Sequence, residues 1–256
     1  MTNSKIKHFV VIITLCFSFA CKQEKGQLIE IEGKQIPVDS SLSGIDSLTA
    51  FIAPYKKRVD EVLDSTLAHA PRSLDLNDGE RNTSMGNFLA DLIFEETAPL
   101  FKTKTGKELD FVIMNHGGVR AILSAGPVTA RNAYEIMPFE NYISVVELDG
   151  TAVRNLVLYL AGARRAHPIA GMQIVMDQDG GLESITIGDS PFDESRSYFV
   201  ATSDYLVAGG SEIGFFPNVE STTDTGYLLR NAIIDHFRKK DTLTGQVDDR
   251  FIMKDQ

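Results

Sequence analysis

The sequence predicts an α+β fold: a mixed β-sheet with packed helices. Three observations carry that expectation. Strand-like apolar runs at 109–114, 142–148 and 198–202 interleave irregularly with segments whose apolar residues recur at helical spacing. Asp177-Gln178-Asp179-Gly180-Gly181, flanked by Met172 to Met176 and Leu182 to Ile187, is the strongest hairpin signal in the chain. At 256 residues with 43% apolar composition, the chain has ample length to bury a core. No internal repeat is visible.

Taken in order, Lys22 to Gln27 is a polar tether, and Leu28 to Ile31 with Gln35 to Val38 alternate around Gly33 as a short hairpin. Residues 43–70 read as a long helix, because Ile45, Leu48, Ile52, Tyr55, Val59, Val62 and Leu63 share helical spacing. Pro54 inside it implies a kink or a later start. Residues 75–82 form a loop. Ser84 can cap a helix from Met85 to about Phe101, with Phe88, Leu89, Leu92, Ile93 and Leu100 on its buried face. Leu109 to Met114 is a buried strand, and Thr129 starts a short helix to about Met137. Tyr142 to Leu148 alternates as a strand, and Asp149-Gly150 turns it into a helix over 151–163. After the strand at 198–202, Thr222 or Thr223 caps a last helix to Phe237, with Leu229, Ile233 and Phe237 at i, i+4 spacing.

A formal charge of -10 argues against a nucleic-acid-binding surface, which would show a basic stripe. It leaves room for a local basic pocket. The N-terminus reads as a processing segment: Lys5 and Lys7 precede an apolar run from Phe9 to Phe19, too short for a confident membrane span. Ser18-Phe19-Ala20-Cys21 then resembles a bacterial lipobox, making residues 1–20 a lipoprotein signal peptide and Cys21 the lipidated residue. Cys16 would leave with the signal, so no pair remains for a disulfide. A plain secretory signal with an incidental cysteine is the blander alternative. The implied location is the cell envelope, with membrane attachment through the lipid. The tether and hairpin then occupy 21–42, and one domain occupies 43–256.

Three stretches hold residues suited to ligand chemistry. Asn115-His116-Gly117-Gly118-Val119-Arg120 ends a buried strand in an amide, two glycines and an arginine. Glycines permit positive φ and close approach to a ligand, and a guanidinium offers a planar fork for phosphate or carboxylate. The bland reading is a surface turn whose arginine makes a salt bridge. Phe139, after Pro138, is either core packing or one face of a stacking slot for a flat ring. Ser203-Asp204-Tyr205 leads to Gly209-Gly210-Ser211, which is either a plain strand-to-helix loop or a second aromatic beside a glycine turn. Together, two aromatics, an arginine and an amide describe a nucleotide slot.

In this order these pieces resemble the C-terminal domain of the 5'-nucleotidase family, over roughly residues 43–253 and including a helix start at Met85-Gly86-Asn87. The resemblance implies that Asn115, Gly117 and Arg120 of an Asn-x-Gly-x-x-Arg loop contact the ligand. It implies that Phe139 stacks on the base and that Tyr205, where phenylalanine is usual, closes the sandwich ahead of Gly210. The chain departs from the family pattern twice. Ser211 stands where the family has a ribose-gripping aspartate, with Glu212 following. Gly79 and Asn82 fall where the family has Arg-x-x-Glu, with Arg81 nearby but out of register.

Family catalysis is metal-assisted phosphoester hydrolysis in a metallophosphatase domain, with motifs such as Asp-x-His and Gly-Asn-His-Glu. Neither motif occurs in this sequence. The five histidines, His8, His69, His116, His167 and His236, show no metal-ligand spacing, and no Gly-x-Ser-x-Gly elbow is present. The resemblance therefore implies no catalytic residue and no cofactor in this chain, with divalent metals expected only in a partner metallophosphatase. One expectation is the nucleotide-recognition half of a split phosphohydrolase, docked through the long N-terminal helix. The other is a non-catalytic envelope lipoprotein that binds a nucleotide, a nucleoside or a protein partner. The helix favours the first and Ser211 the second.

Overall fold

The computed structural model describes residues 8, 31–39, 41–210 and 219–254. The chain divides into two compact units, Met1–Phe51 and Ile52–Gln256. In the first, residues 31–39 are exposed and carry no strand. The Gln35 to Val38 arm of the expected hairpin therefore does not form, as expected for a lone pair of strands with no apolar face to bury. Its other arm lies mostly outside the described residues, as does Cys21.

Helix α1 (Asp46–Leu63) contains Pro54 and no buried residue. It stops seven residues short of the expected end at Ala70. Thr66–Ala70 is instead strand β1, antiparallel to β3 (Gly126–Thr129), so His69 lies on a strand and does not end a helix. The junction is held by Arg131, whose Nη2 is 2.9 Å from Asp60 Oδ1 and whose Nε is 2.5 Å from Asp64 Oδ1. Helix α2 (Ser84–Thr105) is capped by Thr83, whose side chain accepts from the Gly86 N–H at 3.1 Å. The expected cap, Ser84, accepts from the Asp75 N–H instead. Gly106, at φ +75°, closes the helix in the left-handed conformation that favours glycine.

The central sheet has five strands in the order β10-β4-β9-β2-β5. These are β2 (Phe111–Ile113), β4 (Tyr142–Leu148), β5 (Ile169–Ala170), β9 (Tyr198–Ser203) and β10 (Ser221–Leu228). β2 and β9 are parallel, and the other pairings are antiparallel. β10 corrects a second expectation: the segment at Thr222 and Thr223 is an edge strand on β4, and helix α6 starts only at Leu229, running to Lys239. Pairing along β4 overrides the capping propensity of the threonines.

Both faces of this sheet are covered. Val112, Met114, Ile143, Val145 and Ala201 pack with α2, α6 and the short helix α3 (Ala130–Ile136). Phe111, Ile113, Val146, Leu148 and Val200 pack with helix α4 (Gly150–Gly162) and a four-stranded sheet. That second sheet contains the expected hairpin, β6 (Met172–Met176) and β7 (Leu182–Ile187), flanked by β8 (Ser190–Pro191) and β11 (Phe251–Met253). Successive residues of a strand point to opposite faces, so a sheet buried on both sides reads as a continuous apolar run, as β2 does.

A buried polar cluster ties the two ends of the second unit together. Asn87 Nδ2 donates to Asn82 Oδ1 at 2.7 Å and to the Gln246 carbonyl at 2.8 Å. Asn82 in turn accepts from the Asp248 N–H at 3.0 Å. Arg250 bridges Asp91 and Asp248 at 2.9 and 2.7 Å. The Met85-Gly86-Asn87 signature is thus an anchor for the segment that leads into β11.

Two histidines couple this core to pH. Burial pushes His236 below its ordinary value, against Glu95 and Glu96, which favour its charged form, while Lys240 adds to the fall. Burial likewise lowers His167. A histidine whose pKa is lower folded than unfolded takes up its proton more readily in the unfolded chain. Stability is therefore retained above the ordinary value of 6.5 and declines as pH falls through and below it. Thermal midpoints recorded from about pH 8 to about pH 5 should fall on the acid side, and less steeply in His236→Gln.

Candidate functional site

Sheet register brings the three ligand-suited stretches to one edge. β2 and β9 run parallel, Phe111 opposite Val200 and Val112 opposite Ala201, so the loops after Ile113 and Ser203 leave the sheet on the same side. β4 runs the other way, with Ile143 opposite Ser203, so Phe139, three residues before its start, lies at that edge too. The carboxyl ends of adjacent parallel strands form a crevice suited to ligands.

The loop after β2 is a single 3-10 turn, His116–Gly118, with Asn115 at its N-cap. Neither Gly117 nor Gly118 takes positive φ, contrary to the expectation for this pair. A Cβ at 118 would lie 2.7 Å from Asn115 Oδ1, so a larger residue there would move the amide. The Asn115 amide folds over the turn and, among the described residues, forms no side-chain hydrogen bond. His116 Nδ1 is 3.1 Å from the Ala166 carbonyl, which makes Nδ1 the protonated nitrogen. The His116 N–H points at His167 Nδ1, 3.4 Å away.

Arg120 is exposed, and its Nη1 donates to the Gly117 carbonyl at 3.2 Å. Among the described residues no carboxylate lies within ion-pair distance of it. Its backbone N–H is fixed to the Ile136 carbonyl at 2.9 Å, which joins the Asn115 loop to the end of α3.

The two aromatics are open to solvent: Phe139 is 42% and Tyr205 46% exposed. Neither fills the core, which leaves their faces available for stacking. Tyr205 sits on a single helical turn, α5 (Asp204–Val207), capped by the Ser203 side chain. Gly209 takes φ +78°, and a Cβ on Gly210 would lie 2.2 Å from the Tyr205 ring. The glycine pair therefore serves the aromatic: one residue turns the chain, the other makes room for the ring. Ser211 lies outside the described residues.

Sequence reasoning passed over two groups at this edge. Arg230, 8% exposed at the start of α6, donates to the Pro138 and Phe139 carbonyls at 3.3 and 3.4 Å and lies 4.3 Å from the Tyr134 ring centroid. It holds the Phe139 loop from behind, and its place on a helix expected to begin earlier concealed it. The second group is Arg164, Arg165 and His167, just before β5. They border a cavity of about 640 Å³ that opens on Asn115 and Gly117 and includes neither Phe139 nor Tyr205. Arg81 turns away to the Ala161 carbonyl, 2.8 Å from its Nη1. Among the described residues no cluster of three His, Cys, Asp or Glu side chains could hold a metal ion.

A family model for the 5'-nucleotidase C-terminal domain matches residues 62–218, more than half of the chain. A 5'-nucleotidase of Vibrio cholerae is 23% identical over 81% of this chain and 37% of its own length. A cell wall protein of Listeria monocytogenes is 24% identical over 82% of this chain and 29% of its own. The chain spans well under half the length of these relatives. Among solved structures, a 5'-nucleotidase precursor from Thermus thermophilus superposes with a TM-score of 0.67 at 20% identity, covering 82% of this chain and 43% of that one. An NAD nucleotidase from Haemophilus influenzae gives 0.60 at 21%, covering 82% and 42%. At such identities the likeness is one of fold.

If the Tyr205 ring is a stacking surface, its seat on Gly210 matters. Gly210→Ala should push the ring aside without unfolding the chain, since the clash is with a side chain at the surface. AMP affinity, measured calorimetrically, should then fall by about 1–3 kcal/mol, as for Tyr205→Ala or Phe139→Ala. Unchanged affinity in all three would return the aromatics to a packing role.

Proposed function

Because the chain belongs to the 5'-nucleotidase C-terminal domain family, we propose that it is the nucleotide-recognition half of a phosphohydrolase, working in nucleotide catabolism with a separate metallophosphatase polypeptide. The observation that carries this reading is the convergence at one sheet edge of two half-exposed aromatics with an arginine that no carboxylate neutralises among the described residues. The base stacks between Phe139 and Tyr205. Asn115 reads a polar edge of the ligand with its uncommitted amide, and the Arg120 guanidinium grips the phosphate. Gly117 and Gly210 keep the approach open.

The partner supplies the divalent metals and the attacking water. The exposed apolar residues of α1 in the second unit, among them Ile52, Val59 and Val62, suit a docking surface for it. Attachment to the cell envelope through Cys21 is consistent with the basic and apolar N-terminal segment, and the similar Listeria protein is a cell wall protein. Ser211, in place of the family's aspartate, favours a second reading: an envelope lipoprotein that binds nucleotides or a protein partner without hydrolysis.

The isolated chain should release no phosphate from AMP with added divalent metal. Release on addition of a metallophosphatase would separate the two readings in favour of the first. Recognition itself is tested by titrating AMP and adenosine into wild type and Arg120→Lys. A lysine point charge cannot reproduce bidentate geometry, so AMP affinity should fall by about tenfold or more while adenosine affinity is nearly unchanged. Equal losses for both ligands would end the phosphate role of Arg120.

A further inference from the structure

We propose that the cavity between the Asn115 loop and the end of α4 is a second anion site, built for a pyrophosphate group, with Arg164 and Arg165 as its ligands. The cavity holds about 640 Å³, within the range of small-ligand pockets. Its lining includes Arg164, Arg165, His116, His167, Asn115 and Tyr159, and no carboxylate. Arg165 also lines a smaller adjoining pocket with Glu80, whose carboxylate lies 3.9 Å from Arg81, but the larger cavity itself is lined by no acid.

The simplest alternative is that these arginines only complement the carbonyl end of α4, where cations are favoured. Arg81 already occupies that role, donating to Ala161 at 2.8 Å. Neither Arg164 nor Arg165 has a hydrogen-bond or ion-pair partner among the described residues, and both are exposed. Two guanidiniums on neighbouring residues can each take a bidentate pair of oxygens. A single phosphate occupies one such fork, whereas a pyrophosphate group spans both. Asn115 also lines the cavity and can add an amide donor. His167, kept neutral by burial, adds no competing charge requirement.

Sheet order sets this site apart from the aromatic pair. β5 pairs with β2 on the side away from β9, Ile113 opposite Ile169, so His167 and the arginines lie across the Asn115 loop from Tyr205. The same chemistry could come from free pyrophosphate or from the tail of a nucleoside diphosphate lying across that loop.

The test is calorimetric titration of inorganic pyrophosphate, ADP and AMP into the full chain, its Arg164→Ala/Arg165→Ala variant and its Arg164→Lys/Arg165→Lys variant. Pyrophosphate should bind wild type, lose at least tenfold in the alanine pair and recover part of that in the lysine pair. Phe139→Ala should leave pyrophosphate binding unchanged. A matching loss for ADP in the alanine pair assigns the site to a nucleotide tail, and no loss for ADP assigns it to the free anion; both uphold it. Absence of pyrophosphate binding to wild type, or equal binding by wild type and a folded alanine pair, overturns it. Binding of pyrophosphate without AMP would sink the nucleotide reading of the aromatic pair and leave this site standing.

Discussion

The parallel ladder between β2 and β9 is the constraint on which the rest depends. Parallel strands need a crossover rather than a tight turn, and here it is long, running from the Asn115 loop through α3, β4, α4 and the second sheet before returning at Tyr198. Because the two strands point the same way, the loops that follow them are neighbours although roughly 90 residues separate them in the chain. β4, inserted antiparallel beside β9, adds its own preceding loop to the same edge. Slipping any of these strands by one residue would turn its apolar set inside out, and both faces of the sheet are packed. Core packing and site geometry are therefore one requirement.

Much of this was legible locally. Tyr142–Leu148 is a strand as expected, although it does not alternate in burial: Ile143 to Val146 are all buried because both faces of the sheet are covered. The Gly180-Gly181 hairpin formed where expected, with Gly180 at φ +80° and Asp177 accepting from the Gly181 N–H at 2.7 Å. The errors fall where a partner decides the outcome. Thr66–Ala70 continues a helical pattern, yet β3 takes it as a strand. Ser221–Leu228 looks like a cap followed by a helix, yet β4 takes it as an edge strand. Threonine suits both a helix cap and a pleated strand, so its neighbours in space choose between them.

The same division runs through the site. Asn115, Arg120, Phe139 and Tyr205 stood out because aromatics and charges beside glycine or proline are visible in one dimension. The reason for each glycine was not visible: Gly118 yields space to Asn115 and Gly210 to Tyr205, while only Gly209 of the loop pair needs a left-handed backbone. Arg230 and the Arg164-Arg165 pair carry no local signature at all. They reach this edge because β10 ends there and β5 begins there, which is a fact of register.

In the proposed reading, charge gives the edge its selectivity. The chain is acidic overall, but exposed charges separated by more than about 8 Å are largely screened at physiological salt, so a bound anion responds to the cations beside it and little to the distant carboxylates. Several other arginines are paired with carboxylates, Arg131 with Asp60 and Asp64, Arg154 with Glu194, Arg250 with Asp91 and Asp248, while Arg72 donates to the Gly245 carbonyl. Among the described residues, Arg120 is held only by a carbonyl of its own loop, and Arg164 and Arg165 by nothing. A guanidinium left without an acid in a protein rich in acids is a position where negative charge is expected from outside. Such positions flank the Asn115 loop on both sides, where the two proposed anion sites lie.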